Sequence, residues 1–502
     1  MSTEHVANAT PVTASATGSG VGLRPNAVGI IGVLLQAVAL MGPGVAVAFG
    51  YGPGITYARG SFPLAIALAM VGSLLVALNI GQLAAHLPSA GGSYSYVSNG
   101  LGRGLGFLAG WLSIPAYLVF LPLNVIAFGY ALNQASASPS DPSSGVPWWV
   151  GGVFLAVLMG LLTFFGVRIS VRLLVVLGTI EVLAFVVLSV FLVMNPADGQ
   201  SLQAFTPATW DGGHGGISGV LVGAVIGMLA FTGFESAALL AEESKNPRRI
   251  IKPVLISAVL LIGAFFVLTS YAGVAGYGFN HLGPSTQEGT YLHDEAPWIT
   301  LAIRAWGTSG KYLLGMVLFT SFAANMAAGY TALSRVAYAM GRAGALPSAF
   351  GRLTRRFRTP WLALLIGVIF ALLVAPWLVA VYNKPPNTFL LLVNTAGYSV
   401  LTIYIAVSLA VPFYYLRKQR SEFRVLPHLV VPLVGALLLL VVLLSPLFTT
   451  LPPDNYPGIL PQYLGGAIAG GWLLVGIVWL LVLRLRNPGA LEAGERIYVT
   501  GE

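Results

Sequence analysis

Residues 35–54 read LQAVALMGPGVAVAFGYGPG, and Gly42-Pro43-Gly44 stands in the middle of them. The flanks are apolar enough for a buried helix, yet the centre cannot continue one. Proline has no N–H to give the helix and clashes with the preceding turn, and the two glycines add backbone freedom. The stretch therefore predicts a helix that unwinds halfway along. Unwound backbone at the depth of a bilayer is tolerated only beside protein or a water-lined cavity. The N–H groups left bare where the helix restarts attract an anion such as a carboxylate. On this stretch alone, a packing kink without a ligand fits as well.

Composition sets the surroundings of that break. The chain has 502 residues, 56% hydrophobic and 8% charged, with a mean hydropathy of +0.83. A soluble domain carries about a quarter charged residues, so these charges cannot coat a soluble surface. The apolar residues form unbroken runs of the length a bilayer core requires, unlike the short alternating strands of a membrane β-barrel. Twelve such segments are read, at 27–57, 62–87, 104–132, 147–166, 172–195, 215–241, 252–277, 310–334, 360–382, 388–416, 427–449 and 460–484. The fold class expected is all-α integral membrane protein.

Lys and Arg favour the cytoplasmic side. With twelve spans, 21 of the 25 Lys and Arg fall on the side of the termini and the even-numbered connections; the others are Arg59, Arg304, Lys311 and Lys384. Both termini are expected in the cytoplasm. The net charge of +9 is then a topology signal, and no nucleic-acid partner is needed. Residues 1–24 and 487–502 read as cytoplasmic tails, the first of them disordered. The outer connection 278–309, with Glu288, Asp294 and Glu295, reads as a solvated hairpin. No cysteine is present, which excludes disulfides, thiolate metal sites and cysteine nucleophiles. No metal or cofactor is expected.

The sixth segment shifts the balance at the first. It contains Phe231-Thr232-Gly233-Phe234-Glu235, a second mid-span glycine with an acid beside it. A carboxyl at that depth is costly and usually functional. Interrupted segments at matching positions of two halves are the best sequence pointer to a transporter site.

Four stretches together resemble the amino acid–polyamine–organocation (APC) transporter superfamily. They are Met41-Gly42-Pro43-Gly44-Val45, Pro88 to Tyr96, Phe231 to Arg249, and Ser334 to Pro347, in the family's order over roughly residues 25–420. The resemblance implies a five-plus-five inverted repeat (LeuT-like), with helices 1 and 6 broken. The first repeat is expected at 25–200, the second at 201–420, and two further helices at 421–486. It implies secondary active transport of amino acids or amines across the plasma membrane by alternating access, proton-coupled or by exchange. The first-helix amides would hold the substrate carboxylate and sixth-helix carbonyls its amino group. Met41, Gly42, Pro43, Gly44, Val45, Phe231, Thr232, Gly233, Phe234 and Asn325 are the substrate-binding candidates, with Phe231 stacking over the substrate.

One departure concerns coupling. Many members carry a lysine on the fifth helix, and here Glu181 stands in its place. Burial favours the neutral form of a carboxyl, so a protonated Glu181 is tolerable there, whereas an ionised one needs a cation. Glu235 and Glu181 are the proton-coupling candidates. Asn325 shares a helix face with Ser321, and Asn79 with Gln82; each pair either lines a cavity or bonds a neighbouring helix. Asn124 has no assigned role. Tyr96 reads as an interfacial anchor. The run Glu242, Glu243, Lys245, Arg248 and Arg249 reads as a solvated face rather than an ion-pair gate with Arg335. A channel lacks a filter motif, and an enzyme lacks any HExxH-type pairing among His5, His86, His214, His281, His293 and His428. An amino-acid sensor on the same fold stays open. The other partners expected are the proton and the bilayer, in a monomer or homodimer, and the two glutamates favour a neutral or cationic substrate.

Overall fold

The computed structural model describes residues 22–137, 144–210, 214–284, 286–294, 296–382, 385–445 and 460–498. Residues 1–21 and 499–502 of the expected tails, the end of the eleventh segment at 446–449, Lys384 and Glu295 lie outside the described residues.

The described chain is all-helical, without a β-strand. Nine stretches are long and apolar enough to cross a membrane among the described residues. The first, Ile30–His86, takes in two of the segments read from sequence, and Trp148–Phe164 and Gly216–Ala230 are shorter apolar helices. Large apolar side chains cover the outside: Leu183 is 57% exposed, Leu437 62% and Val478 61%. In water such a surface would aggregate; against lipid it is the stable one. The chain is a multi-pass membrane protein.

Small residues bring the helices together, as lipid-embedded bundles require. Gly81 of the Phe62–His86 helix lies against Lys252, and Gly263 of the Pro247–Tyr277 helix lies against Met70. Polar side chains tie other pairs. Asn79 Nδ2 donates to Ser408 Oγ at 3.0 Å and Gln82 Nε2 to the Pro427 carbonyl at 3.0 Å. That pair therefore joins helices.

Two helices depart from the sequence reading. Pro297–Trp306 occupies the connection read as a hairpin, and Pro488–Arg496 occupies the C-terminal tail. The second is docked. The Ser95 hydroxyl donates to the Ile497 carbonyl at 3.0 Å, Asn99 Nδ2 to the Glu495 carbonyl at 3.1 Å, and Arg103 pairs with Glu492 at 2.8 Å. At the other terminus Leu23 is buried and Val28 exchanges backbone bonds with Glu243 and Lys245.

Candidate functional site

The helix that begins at Ile30 stops at Met41, because Gly42 takes a left-handed φ of 57°. Helical backbone resumes at Pro43 and runs through a π-helical turn, Ala46–Gly50, into Tyr51–Ala58. Asn325 of the Thr308–Arg342 helix holds the stopped end. Its Nδ2 donates to the carbonyls of Ala39 (3.1 Å) and Leu40 (2.8 Å), and its Oδ1 accepts from Asn124 Nδ2 at 2.7 Å. Asn124 thus supports Asn325, a role no sequence signal indicated.

On the restarting side, the Gly44 N–H donates to Oε1 of Glu181. The Val45 N–H donates to Ser321 Oγ at 3.1 Å, and the Ser321 hydroxyl donates to the same Glu181 oxygen at 2.6 Å. Glu181 is fully buried on the Val167–Met194 helix. It reaches the break from 137 residues away in sequence.

The second interruption follows Ala230, where the Gly216–Ala230 helix ends. Turns carry the chain to the short Ser236–Leu239 helix, with Gly233 at φ 113°. A Cβ on Gly233 would stand 2.8 Å from the carbonyl carbon of Leu40, so the two interruptions pack directly on each other. Glu235 is buried beside this turn. Oε1 accepts from the Tyr117 hydroxyl at 3.0 Å. Oε2 accepts from the Gly233 N–H at 3.0 Å and from the Tyr404 hydroxyl.

Between the interruptions lies a cavity of ≈ 180 Å³. Met41, Val45, Thr232 and Asn325 line it, while Gly42, Pro43, Gly44, Phe231, Gly233 and Phe234 do not. Phe231 packs edge-on against Phe266 at 5.3 Å, and Phe234 against Tyr404 at 5.4 Å. Neither ring is part of the lining. Phe49, Tyr57, Asn394 and Tyr398 are also part of the lining. Asn394 and Tyr398 stand four apart in the tenth apolar segment and so share a helix face; that spacing was the available signal.

At one end the cavity reaches Pro53, Tyr57 and Ser445. The opposite end of the bundle is tied by ion pairs. Arg335 Nε donates to Glu243 Oε2 at 3.0 Å and Nη2 to Oε1 at 3.3 Å, with both side chains almost fully buried. Arg342 pairs with Glu242 at 2.6 Å. Glu242 and Glu243 are therefore not on a solvated face; Lys245, Arg248 and Arg249, which follow them, are exposed. Tyr94 and Tyr96 are buried in the same region, so Tyr96 is a core residue and not an interfacial anchor.

Two substitutions follow from these contacts. Asn325→Ala removes the donor to two helix-end carbonyls and the bond from Asn124, which keeps only the Phe120 carbonyl for its Nδ2. The expected cost is about 1–3 kcal/mol, read as a lower midpoint of thermal unfolding in detergent; a midpoint equal to wild type would contradict the role given to Asn325. For Gly44→Val, the added Cβ meets Phe185 Cε2 at 2.8 Å and Glu181 Oε1 and Ser321 Oγ at 3.0 Å. Overpacking of this kind costs about 1–3 kcal/mol. The loss is expected in folded yield and thermal stability, with Gly44→Ala milder; wild-type stability in both would show that the helices yield freely.

The fold and the cavity define a multi-pass membrane protein with a solute-sized internal chamber. The chain belongs to the amino acid permease family, whose model matches residues 32–483. It is 30% identical over 356 residues to the low-affinity putrescine importer PlaP of Escherichia coli K12, covering 68% of this chain and 73% of that one. It is 26% identical over 484 residues to the branched-chain amino acid permease BcaP of Lactococcus lactis, covering 89% and 90%. It is 22% identical over 352 residues to a gamma-aminobutyric acid permease of Bacillus subtilis, covering 69% and 71%. The APC resemblance read from four motifs is thereby shown, and with it the chain's place among permeases.

Proposed function

We propose that the protein is a secondary active transporter of amino acids or related amines in the plasma membrane, working by alternating access and coupled to protons. The observation that carries this reading is the cavity that lies where two helix interruptions pack on each other. It is large enough for a small solute and is lined mostly by apolar groups, with Thr232, Asn325, Asn394 and Tyr398 as polar contacts. Sites of this form, at mid-membrane between discontinuous helices, are those of repeat-built carriers. Names of relatives that handle putrescine, branched-chain amino acids and gamma-aminobutyric acid support the substrate class.

On this reading the chain has twelve spans in a five-plus-five inverted repeat with two further helices, and both termini are cytoplasmic. Met41, Val45, Thr232 and Asn325 contact substrate directly. Gly42, Pro43, Gly44 and Gly233 shape the interruptions, and Phe231 and Phe234 buttress them. The Arg335–Glu243 and Arg342–Glu242 pairs close the cytoplasmic side. Glu235 carries the coupling proton, because its two tyrosine partners lie on other helices and would part when those helices move. Glu181 is the second proton candidate.

The test is counterflow of radiolabelled amino acids and amines in proteoliposomes holding the purified full chain. Accumulation of at least one compound above protein-free liposomes is expected. Accumulation of none across the panel would overturn the transporter reading.

A further inference from the structure

We infer that the cavity takes a protonated amine with an apolar body and no carboxylate, in preference to an α-amino acid. This rests on the transporter reading and narrows its substrate. The backbone at the first interruption leaves no N–H for an incoming anion. Pro43 has none to offer. The Gly44 N–H is spent on Glu181, and the Val45 N–H on Ser321, which itself donates to Glu181. The Gly42 N–H donates to the Ala39 carbonyl at 3.1 Å, and the Ala46 N–H to the Gly42 carbonyl at 2.8 Å. The end of the helix that would attract a carboxylate is thus already filled by a carboxyl group of the protein.

What faces the cavity has the opposite polarity. The Ile30–Met41 and Gly216–Ala230 helices both end there, and Met41, Ala230 and Thr232 belong to its lining. No hydrogen bond to the carbonyls of these three residues is present among the described residues. Helix C-termini carry partial negative charge and favour cations. The lining contains no Lys, Arg or His to neutralise a carboxylate. A carboxylate brought into the cavity would find neutral donors such as the Tyr57 and Tyr398 hydroxyls and the Asn394 amide but no cation, and burying a charge without a charged partner is costly. An ammonium group would meet the acceptors it needs, while Phe49, Phe389 and Leu401 offer apolar surface to the rest of the molecule.

Matched trios separate the two ends of the ligand. Isopentylamine, leucine and isocaproate share one body, and phenethylamine, phenylalanine and hydrocinnamate share another. Dissociation constants come from thermal-shift titrations of the purified full chain, since a binder stabilises the folded state. In at least one trio the amine is expected to bind about tenfold or more tightly than the amino acid, ~1.4 kcal/mol, and the acid not to bind. An amino acid binding as tightly as its amine in both trios, or an acid binding at all, would overturn the inference, as would no binding in either trio. Amine preference without counterflow would leave the selectivity standing and remove transport, so the two failures are distinguishable.

Discussion

Arg335→Ala is expected to be among the most destabilising single substitutions in the chain, by about 3–5 kcal/mol. Arg335 and Glu243 make two charge-assisted bonds with side-chain exposures of 1% and 2%. Removing the guanidinium leaves the Glu243 carboxyl buried and unpaired, and that desolvation penalty is most of the cost. The argument makes a second, sharper demand. Replacing both partners, as in Arg335→Leu with Glu243→Leu, removes both charges and should recover most of the loss. Thermal unfolding of the purified variants reads both effects. The link also joins the long Thr308–Arg342 helix to the turn after the second interruption, so transport is expected to suffer more than stability in the double variant. An Arg335→Ala protein within about 1 kcal/mol of wild type would show the pair to be energetically idle.

Glu235→Gln is expected to fold and to lose the pH dependence of uptake. With its oxygen in the place of Oε2 the amide still accepts from the Gly233 N–H and the Tyr404 hydroxyl, and its NH2 can donate to the Tyr117 oxygen in place of the bond Glu235 accepts, so the structural cost is about 1 kcal/mol. The variant can no longer take up or release a proton. If Glu235 carries the coupling proton, wild-type uptake rises as the outer pH falls, by about tenfold per unit where protonation limits the rate. The Gln variant then runs flat across the same range and no longer accumulates substrate against its gradient, while counterflow without a gradient persists. A wild-type pH profile in Glu235→Gln would move the proton elsewhere, Glu181 being the next residue to test.

Much of the fold was legible because its signals are local. Runs of apolar residues need only a window the width of a bilayer, and the stop near Gly42 is signalled by a proline between two glycines within an otherwise apolar run. The two unanticipated helices, Pro297–Trp306 and Pro488–Arg496, are too short to cross a bilayer and so pass for connections. Each opens with proline at its first turn, where the missing N–H costs nothing, and that was the signal available. The site was less legible because its bonds join distant parts of the chain. Glu181 to Gly44 spans 137 residues, Tyr404 to Glu235 169, and Asn124 to Asn325 201. Reading bare amides at Gly42-Pro43-Gly44 was sound for an isolated helix end; Glu181 and Ser321, supplied by two other helices, take the available Gly44 and Val45 donors. Phe231 shows the reverse limit: it adjoins the break in sequence, yet its ring packs on Phe266 and is not part of the cavity lining.

The central claim is that substrate occupies the cavity between the two interruptions, and the absence of cysteine makes it directly measurable. Single cysteines at Ala230, in the lining, and at Leu202, exposed on a turn outside the membrane-spanning helices, can each be reacted with a small thiol reagent in proteoliposomes. The reaction is run with and without a saturating concentration of whichever compound the liposomes accumulate. The account predicts that the compound slows modification of Ala230→Cys and leaves that of Leu202→Cys unchanged. Equal rates at Ala230→Cys with and without the transported compound would contradict it.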